Sequence, residues 1–391
     1  MVDGAPLAGL KLSLLTAAVM LSGTLAVFSY EIDWLIFPAM RVLPQDRPYA
    51  SWGAWASAVR RHDPKAEIVS LARPIDPWFA ARAMVQRGGG ETVYLEIDPW
   101  RATVQGETPW VNAHRFLREL HRHLMLPMQW GLPLVGFVGL ILLGSMTTGL
   151  VAYKKFWRGL LRVPRWRKGR PGEMRRYVGE LHRFTALWSV WFALLIGLTG
   201  AWYLVEHFGA QAPNLPTPQV GTPGWDPEGP ALDRAVGVAM AAQPDLRIRN
   251  IQFPFAGDPG LILEGQASAL LVRDRANAVF IDPGTRRVLL SARGEQLNLH
   301  QRISEAADPL HVGTWGGFAS KVAWFVFGLL LTSLSAAGVM IYALRLKKAE
   351  AASGTRRSGL RRWWEGMGSF AYVTAAALLL TAWFITTAVG G

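Results

Sequence analysis

The sequence of 391 residues contains no cysteine. This absence excludes disulfide bonds, thiol chemistry, c-type haem attachment and cysteine-ligated iron–sulfur clusters. The chain also has no Gly-x-Gly-x-x-Gly stretch after a strand-like segment, so we expect no nicotinamide or flavin domain of its own. Any redox chemistry here must therefore use a cofactor that other side chains hold.

Charged residues are scarce as well: they make up 18% of the chain, whereas 51% of it is hydrophobic. That composition is too apolar for an ordinary soluble protein. Five runs almost free of charge are long enough to cross a hydrocarbon core, which needs roughly 20 helical residues. We predict transmembrane helices over residues 7–30, 127–153, 184–206, 318–344 and 367–389. The first lacks a small-x-small cleavage site before Glu31, so we interpret it as a retained anchor and not a signal peptide.

The net charge of +13 is unevenly distributed. Lysine and arginine crowd the short connections 154–183 and 345–366, whereas the long connections 31–126 and 207–317 are close to neutral. Basic residues concentrate in the cytoplasmic loops of membrane proteins. We therefore predict an inner-membrane protein with a cytoplasmic N-terminus and a periplasmic C-terminus. The basic patch marks topology and contacts membrane lipid; it does not indicate nucleic acid.

The two long connections repeat one pattern. An amphipathic helical stretch at 51–61 is followed by Pro64, and another at 232–242 by Pro244. Strand–turn–strand signals follow in both. Each connection therefore predicts a small α+β domain. The predicted fold is an α-helical membrane protein with five transmembrane helices and two α+β periplasmic domains, arranged as an internal duplication with the fifth helix added at the end.

Three histidines stand at the mouths of predicted helices. His121 and His311 precede the second and fourth helices at equivalent places in the two repeats, and His182 precedes the third at the opposite face. Imidazole is a good axial ligand for haem iron, and two rings on facing helices can hold one haem. The alternative is that each is an interfacial polar residue. His207 and His300 are further candidates.

Glycines punctuate the same two helices. They favour either packing around a flat cofactor or close helix–helix contact. The residues concerned are Gly131, Gly136, Gly139, Gly144 and Gly149 in the second helix, and Gly313, Gly316, Gly317 and Gly328 around the fourth.

Several short motifs occur in a fixed order: Ile97-Asp98-Pro99, Leu120-His121-Arg122, Leu181-His182-Arg183, Ile281-Asp282-Pro283 and Leu310-His311-Val312-Gly313. In this order they resemble the PepSY-associated transmembrane-helix family. That family includes iron-regulated inner-membrane proteins and a haem-containing ferric-siderophore reductase. The resemblance extends to about Leu344 and implies that both outer domains are PepSY-like.

The resemblance implies two b-type haems, with His121 and His311 as ligands of the outer one and His182 of the inner one. Family members usually open their first helix with Leu-His-Arg, but no histidine lies near residues 5–7 of this chain. The inner haem is therefore missing, singly ligated, or held by a second ligand such as Met146 or Met174. We accordingly expect one or two haems b.

These features lead to a functional hypothesis and two rivals. The preferred function is a haem-b inner-membrane reductase that transfers electrons to periplasmic ferric iron held by a siderophore or another chelate, fed by a separate quinol or reductase. The alternative is a non-enzymatic membrane protein whose PepSY-like domains bind an envelope partner or protease. A permease is disfavoured because the predicted spans contain no buried ionisable residue.

Overall fold

The computed structural model describes residues 5–153, 155–167, 172–215, 217–218, 229–254, 260–282 and 284–353. The chain divides into two compact units. We call the described parts of Met1–Ser29, Phe116–Gly209 and Ala319–Gly391 the helical unit. The described parts of Tyr30–Arg115 and Ala210–Phe318 form the sheet unit.

The described residues contain nine α-helices and eight β-strands. The helices are α1 Ala5–Val27, α2 Ser29–Ile36, α3 Trp52–His62, α4 Ala113–His123, α5 Met128–Ala152, α6 Glu173–His207, α7 Pro230–Ala242, α8 Leu299–Val312 and α9 Gly317–Ser353. The strands are β1 Glu67–Ala72, β2 Ala81–Gln86, β3 Thr92–Asp98, β4 Thr103–Pro109, β5 Arg247–Gln252, β6 Leu261–Gln266, β7 Ala278–Ile281 and β8 Val288–Ala292.

The prediction of five transmembrane helices is wrong for the part of the chain that the structure describes. Three helices there are long and apolar enough to cross a membrane: α5, α6 and the Gly317–Leu344 part of α9. A fourth is obtained if Leu15–Val27 and Ser29–Ile36, which meet at a 63° bend, form one broken span. The first hydrophobic run is thus not one straight helix, because the chain turns at Phe28. The predicted helix 367–389 lies outside the described residues.

Glycines and aromatic rings pack the helical unit. A Cβ atom built at Gly139 on α5 would lie 3.5 Å from backbone atoms of Gly197, Gly200 and Ala201 on α6, so these two helices touch through their backbones. Between α6 and α9, Trp191 and Phe327 pack edge to face with ring centroids 4.7 Å apart. Close packing therefore holds these apolar helices together.

The prediction of two separate α+β domains is also wrong. Their strands form a single antiparallel sheet in the order β4-β3-β2-β1-β5-β6-β7-β8. The first strand of each repeat, β1 and β5, pair at the centre, where Leu71 lies opposite Ile251. Alone, each four-stranded sheet would expose a row of unpaired backbone groups along that strand, and the pairing removes both edges.

Helices α3 and α7 cover one face of this sheet, each preceding four strands. Burial alternates along β2, where Ala81, Ala83 and Val85 are buried and the residues between them are half-buried, because successive side chains point to opposite faces. The two helices are joined by Asp233, which accepts hydrogen bonds from the Gly53 amide at 2.8 Å and the Ser51 hydroxyl at 2.7 Å. The two repeats therefore share one hydrophobic core.

Candidate functional site

Helix α4 carries His121, and a buried aspartate fixes where this helix begins. The carboxylate of Asp33, which is fully buried, accepts hydrogen bonds from the amides of Ala113 at 2.8 Å and His114 at 3.1 Å. These amides belong to the first turn, where a helix leaves its N–H groups without internal partners. A carboxylate also suits the positive end of the helix dipole. Asp33 therefore anchors the start of α4.

The other end of α4 is equally constrained. His123 is buried and pairs through Nε2 with the Glu119 carboxylate one turn earlier. Leu124 and Met125 then adopt left-handed backbone conformations, with φ of 55° and 58°. A Cβ atom at Gly131 would collide with the His123 carbonyl, so only glycine allows α5 to approach this closely. The turn therefore ends α4 two residues after His121.

His121 packs against α1 of the helical unit. Its Nδ1 atom lies 3.0 Å from the carbonyl oxygen of Val19. Its ring lies over Gly23, where an added Cβ would come within 2.5 Å of the ring carbon Cε1. Glycine at position 23 is therefore what allows the imidazole to lie against the helix backbone.

The surroundings of His121 match what a haem-ligating histidine needs. Burial lowers its pKa, although the Val19 carbonyl acts in the opposite direction. Burial thus favours the neutral imidazole, which is the form that binds a metal. A carbonyl that accepts the Nδ1 hydrogen selects the tautomer with an unprotonated Nε2, as the hydrogen-bond partners of metal-bound histidines do. His121 therefore fits the role of an axial ligand.

His182 lies near the N-terminal end of α6 and is half-buried. Its ring interacts with the carbonyl of Leu334 on α9. Its Nδ1 atom is buried and has no hydrogen-bond partner among the described residues. Buried polar atoms are normally satisfied, so this nitrogen suits contact with a group bound from outside the chain. Of the two methionines considered as co-ligands, Met146 packs against the apolar core of the helical unit, whereas Met174 is exposed.

His311 belongs to the last turn of α8 and is half-buried. The helix begins with a capping box between Asn298 and Gln301 and ends at Gly313, whose left-handed φ of 78° closes it. In its middle, the buried carboxylate of Glu305 binds Arg273 at 2.8 Å. His311 is therefore carried on a helix fixed at both ends and in its middle.

The structure places the three predicted histidines in different surroundings. His121 and His182 belong to the helical unit, where their hydrogen-bond partners lie on α1 and α9 respectively, and His311 belongs to the sheet unit. The pairing of His121 with His311 stays a prediction. Among the described residues no group of three or more His, Asp or Glu could hold a bare metal ion. A haem iron needs only one or two protein ligands.

Three of the five glycines in α5 make close contacts. Gly131 and Gly136 pack against His123 and Leu204, and Gly139 packs against the α6 backbone, so these three serve close packing. A Cβ at Gly144 or Gly149 would meet no atom within 4 Å among the described residues. The sequence pattern alone does not distinguish the roles of these five glycines.

The sequence pattern does not identify three groups that position His121 or its helix: Gly23, the Val19 carbonyl and Asp33. Gly23 lies in the stretch Ser22-Gly23-Thr24, which matches Thr199-Gly200 in the other repeat. That match is the sequence feature that points to Gly23. The Val19 partner is a backbone atom, and Asp33 resembles any acidic residue after a hydrophobic run, so neither has a distinctive sequence signature.

A family model described as "PepSY-associated TM region" matches residues 7–345. A comparison with curated proteins found no match to the chain.

Proposed function

The chain belongs to the PepSY-associated TM region family, and we propose that it is a haem-b-containing inner-membrane reductase that transfers electrons to periplasmic ferric iron. It is a membrane protein with PepSY-associated domains, as the match over residues 7–345 and the apolar helices α5, α6 and α9 establish. The observation that carries the proposal is the His121 ring, oriented by the Val19 carbonyl and seated on Gly23.

His121 is the proposed ligand of one haem and His182 of a second, and the proposal that His311 is the other ligand of the first haem rests on the sequence pattern. When bound, haem supplies one-electron transfer through its iron. The residues around His121 have the remaining tasks. The Val19 carbonyl holds the imidazole in one tautomer and one orientation, and Gly23 leaves room for that orientation. Asp33 accepts hydrogen bonds from the first turn of α4, and the left-handed turn after His123 ends that helix.

Apolar surroundings favour this role. The helical unit buries a cluster that includes Val19, Leu124 and Phe192, which excludes water from its interior. A low-dielectric environment around a metal centre controls its potential and limits side reactions with water. The helices thus provide an insulated region within the membrane.

Ferric iron in a chelate is the proposed substrate. Hard oxygen ligands bind Fe³⁺ much more tightly than Fe²⁺, so transfer of one electron to the chelate would release the metal. The chain has no nicotinamide or flavin fingerprint. A separate quinol or reductase is therefore the proposed electron donor.

The visible spectrum of the purified protein tests the proposal. We expect a Soret band and, after reduction, sharp α-bands. His121→Ala should remove the signal of one haem and lower the reduction rate of a ferric chelate. The matched control is His62→Ala, because His62 is a half-exposed histidine of the sheet unit, 3.7 Å from Glu107. A colourless, iron-free but folded protein would contradict the proposal and favour the binding of an envelope partner.

The proposed orientation places the basic connections 154–183 and 345–366 in the cytoplasm and the sheet unit in the periplasm. Its support is the excess of lysine and arginine in those connections. Reporter fusions test it: a fusion at residue 160 should be active only with a cytoplasmic reporter, and one at residue 215 only with a periplasmic reporter. The reverse pattern would overturn the orientation.

A further inference from the structure

A basic cavity lies where α6 begins, next to the end of α5. Its volume is about 490 Å³. Five arginines line it, with Glu180 as the one acidic lining residue among those described: Arg162, Arg165, Arg167, Arg176 and Arg183. A cavity with this charge suits an anionic ligand.

One of these arginines is committed to the protein itself. Arg176 binds Glu173 at 2.5 Å and Glu180 at 2.6 Å, and it also donates to the Arg165 carbonyl at 3.2 Å. Among the described residues, the ion pairs around the cavity all involve Arg176. The exposed side chains of Arg162 and Arg165 are therefore available for a ligand.

The wall that carries these two arginines is held in place. At one end the Trp188 indole donates a hydrogen bond to the Leu160 carbonyl at 3.1 Å. At the other end the Arg167 amide donates to Glu173 at 2.5 Å. Both Trp188 and Glu173 belong to α6, so the segment between Leu160 and Arg167 is fastened to that helix at both ends. Hydrogen bonds to α6 thus fix this wall of the cavity.

Apolar side chains adjoin the arginines. Leu161 and Val163 contribute to the lining, yet they are 89% and 68% exposed. Phe184 and Leu187 line the opposite side, at the start of a helix apolar enough to span the membrane. Large apolar residues exposed beside a basic cavity at the end of a span indicate contact with lipid chains.

We propose that this cavity binds the phosphate headgroup of an anionic phospholipid. Arg162, Arg165 and Arg183 would hold the phosphate, and Leu161 and Val163 would lie along the acyl chains. An amphiphile accounts for both halves of the lining, whereas free phosphate accounts only for the arginines. Basic pockets at the ends of transmembrane helices are known places for anionic headgroups. This inference is independent of the proposed haem chemistry.

The test uses the full-length protein in detergent with short-chain phosphatidylglycerol as the probe. Tryptophan fluorescence and the thermal unfolding midpoint report binding. We expect saturable binding and a raised midpoint, with neither effect from short-chain phosphatidylcholine. The double variant Arg162→Gln/Arg165→Gln should bind about 25-fold more weakly, from about fivefold for each arginine removed.

The matched control is Arg158→Gln/Arg175→Gln. Both residues are exposed, lie in the same region and stay outside the cavity lining, so the control loses the same charge. It should keep most of the wild-type affinity. Equal weakening in both double variants, or equal binding of phosphatidylcholine, would overturn the proposal. Competition by inorganic phosphate at micromolar concentration would identify free phosphate as the ligand and also overturn it. If the cavity variant does not fold, the lipid selectivity of the wild type still decides.

Discussion

The contact between His121 and Gly23 gives a sharp prediction for the substitution Gly23→Ala. The new Cβ would lie 2.5 Å from Cε1, 2.8 Å from Nδ1 and 3.0 Å from Nε2 of His121. Non-bonded carbon atoms prefer about 3.5–4.0 Å, so the ring must move. Moving it lengthens or breaks the hydrogen bond between Nδ1 and the Val19 carbonyl.

The magnitude follows from three opposing contributions. Overpacking costs about 1–3 kcal/mol, and the lost hydrogen bond about 0.5–1.5 kcal/mol. Replacing glycine by alanine within a helix returns about 1 kcal/mol. The net effect is a destabilisation of about 0.5–3.5 kcal/mol, because the alanine gain is smaller than the two losses together. The unfolding midpoint should fall by roughly 1–7 °C.

The assay is thermal unfolding of the purified protein in detergent, followed by tryptophan fluorescence. Gly144→Ala is the matched control, because it makes the same change inside a helix at a position with no atom within 4 Å among the described residues. This control should be neutral or slightly stabilising. If Gly23→Ala is as stable as Gly144→Ala, His121 does not lie on Gly23 and the description of the site is wrong.

Two further predictions concern the packing of each unit. Gly139→Ala should be tolerated, because its Cβ would lie at an ordinary contact distance of 3.5 Å from the α6 backbone. Gly139→Leu should lower the yield of folded protein, whereas the control Gly144→Leu should not. Equal yields of the two leucine variants would show that α5 and α6 are not in backbone contact. Burial alone would raise the pKa of Glu305, but Arg273 and Arg275 bring it below its ordinary value of 4.5, so its stabilisation is complete above about pH 4.5 and is lost as the pH falls further. Glu305→Gln should therefore lower the free energy of unfolding by about 3 kcal/mol at pH 7 and by progressively less at lower pH. Chemical unfolding measures this loss, with the exposed Glu91→Gln as the control. A loss that does not change with pH would contradict this ion pairing.

Composition and charge-free runs identify the apolar helices, because the bilayer imposes length and hydropathy directly on the sequence. The runs at 127–153, 184–206 and 318–344 coincide with α5, α6 and α9. The start of α6 is less evident, since Glu173 and Arg176 read as part of a charged loop. In the structure these residues pair across one helical turn and extend the helix into that stretch.

The single sheet was not predictable in the same way. Its central pairing joins Leu71 to Ile251, and no local pattern specifies which strand edge meets another. The bend at Phe28 is also hidden, because the residues on both sides are apolar or form helix readily. Long-range pairing between β1 and β5 decides the arrangement of the sheet.

The candidate site was predictable only at the level of residue type. A histidine before an apolar helix identifies His121, but its partner is a backbone oxygen of Val19, 102 residues earlier in the chain. Because every residue has a backbone carbonyl, the sequence does not identify the Val19 carbonyl as the partner of His121. The role of Gly23 likewise depends on which side chain approaches it.

The most direct test of the central claim is the molar ratio of haem to protein, measured by pyridine haemochrome on the wild type and on His121→Ala and His311→Ala. We expect haem b in the wild type at one or two per chain. Each variant should lose one equivalent, and the control His62→Ala should be unchanged. A folded wild-type protein without haem, or a ratio that neither substitution alters, would contradict it.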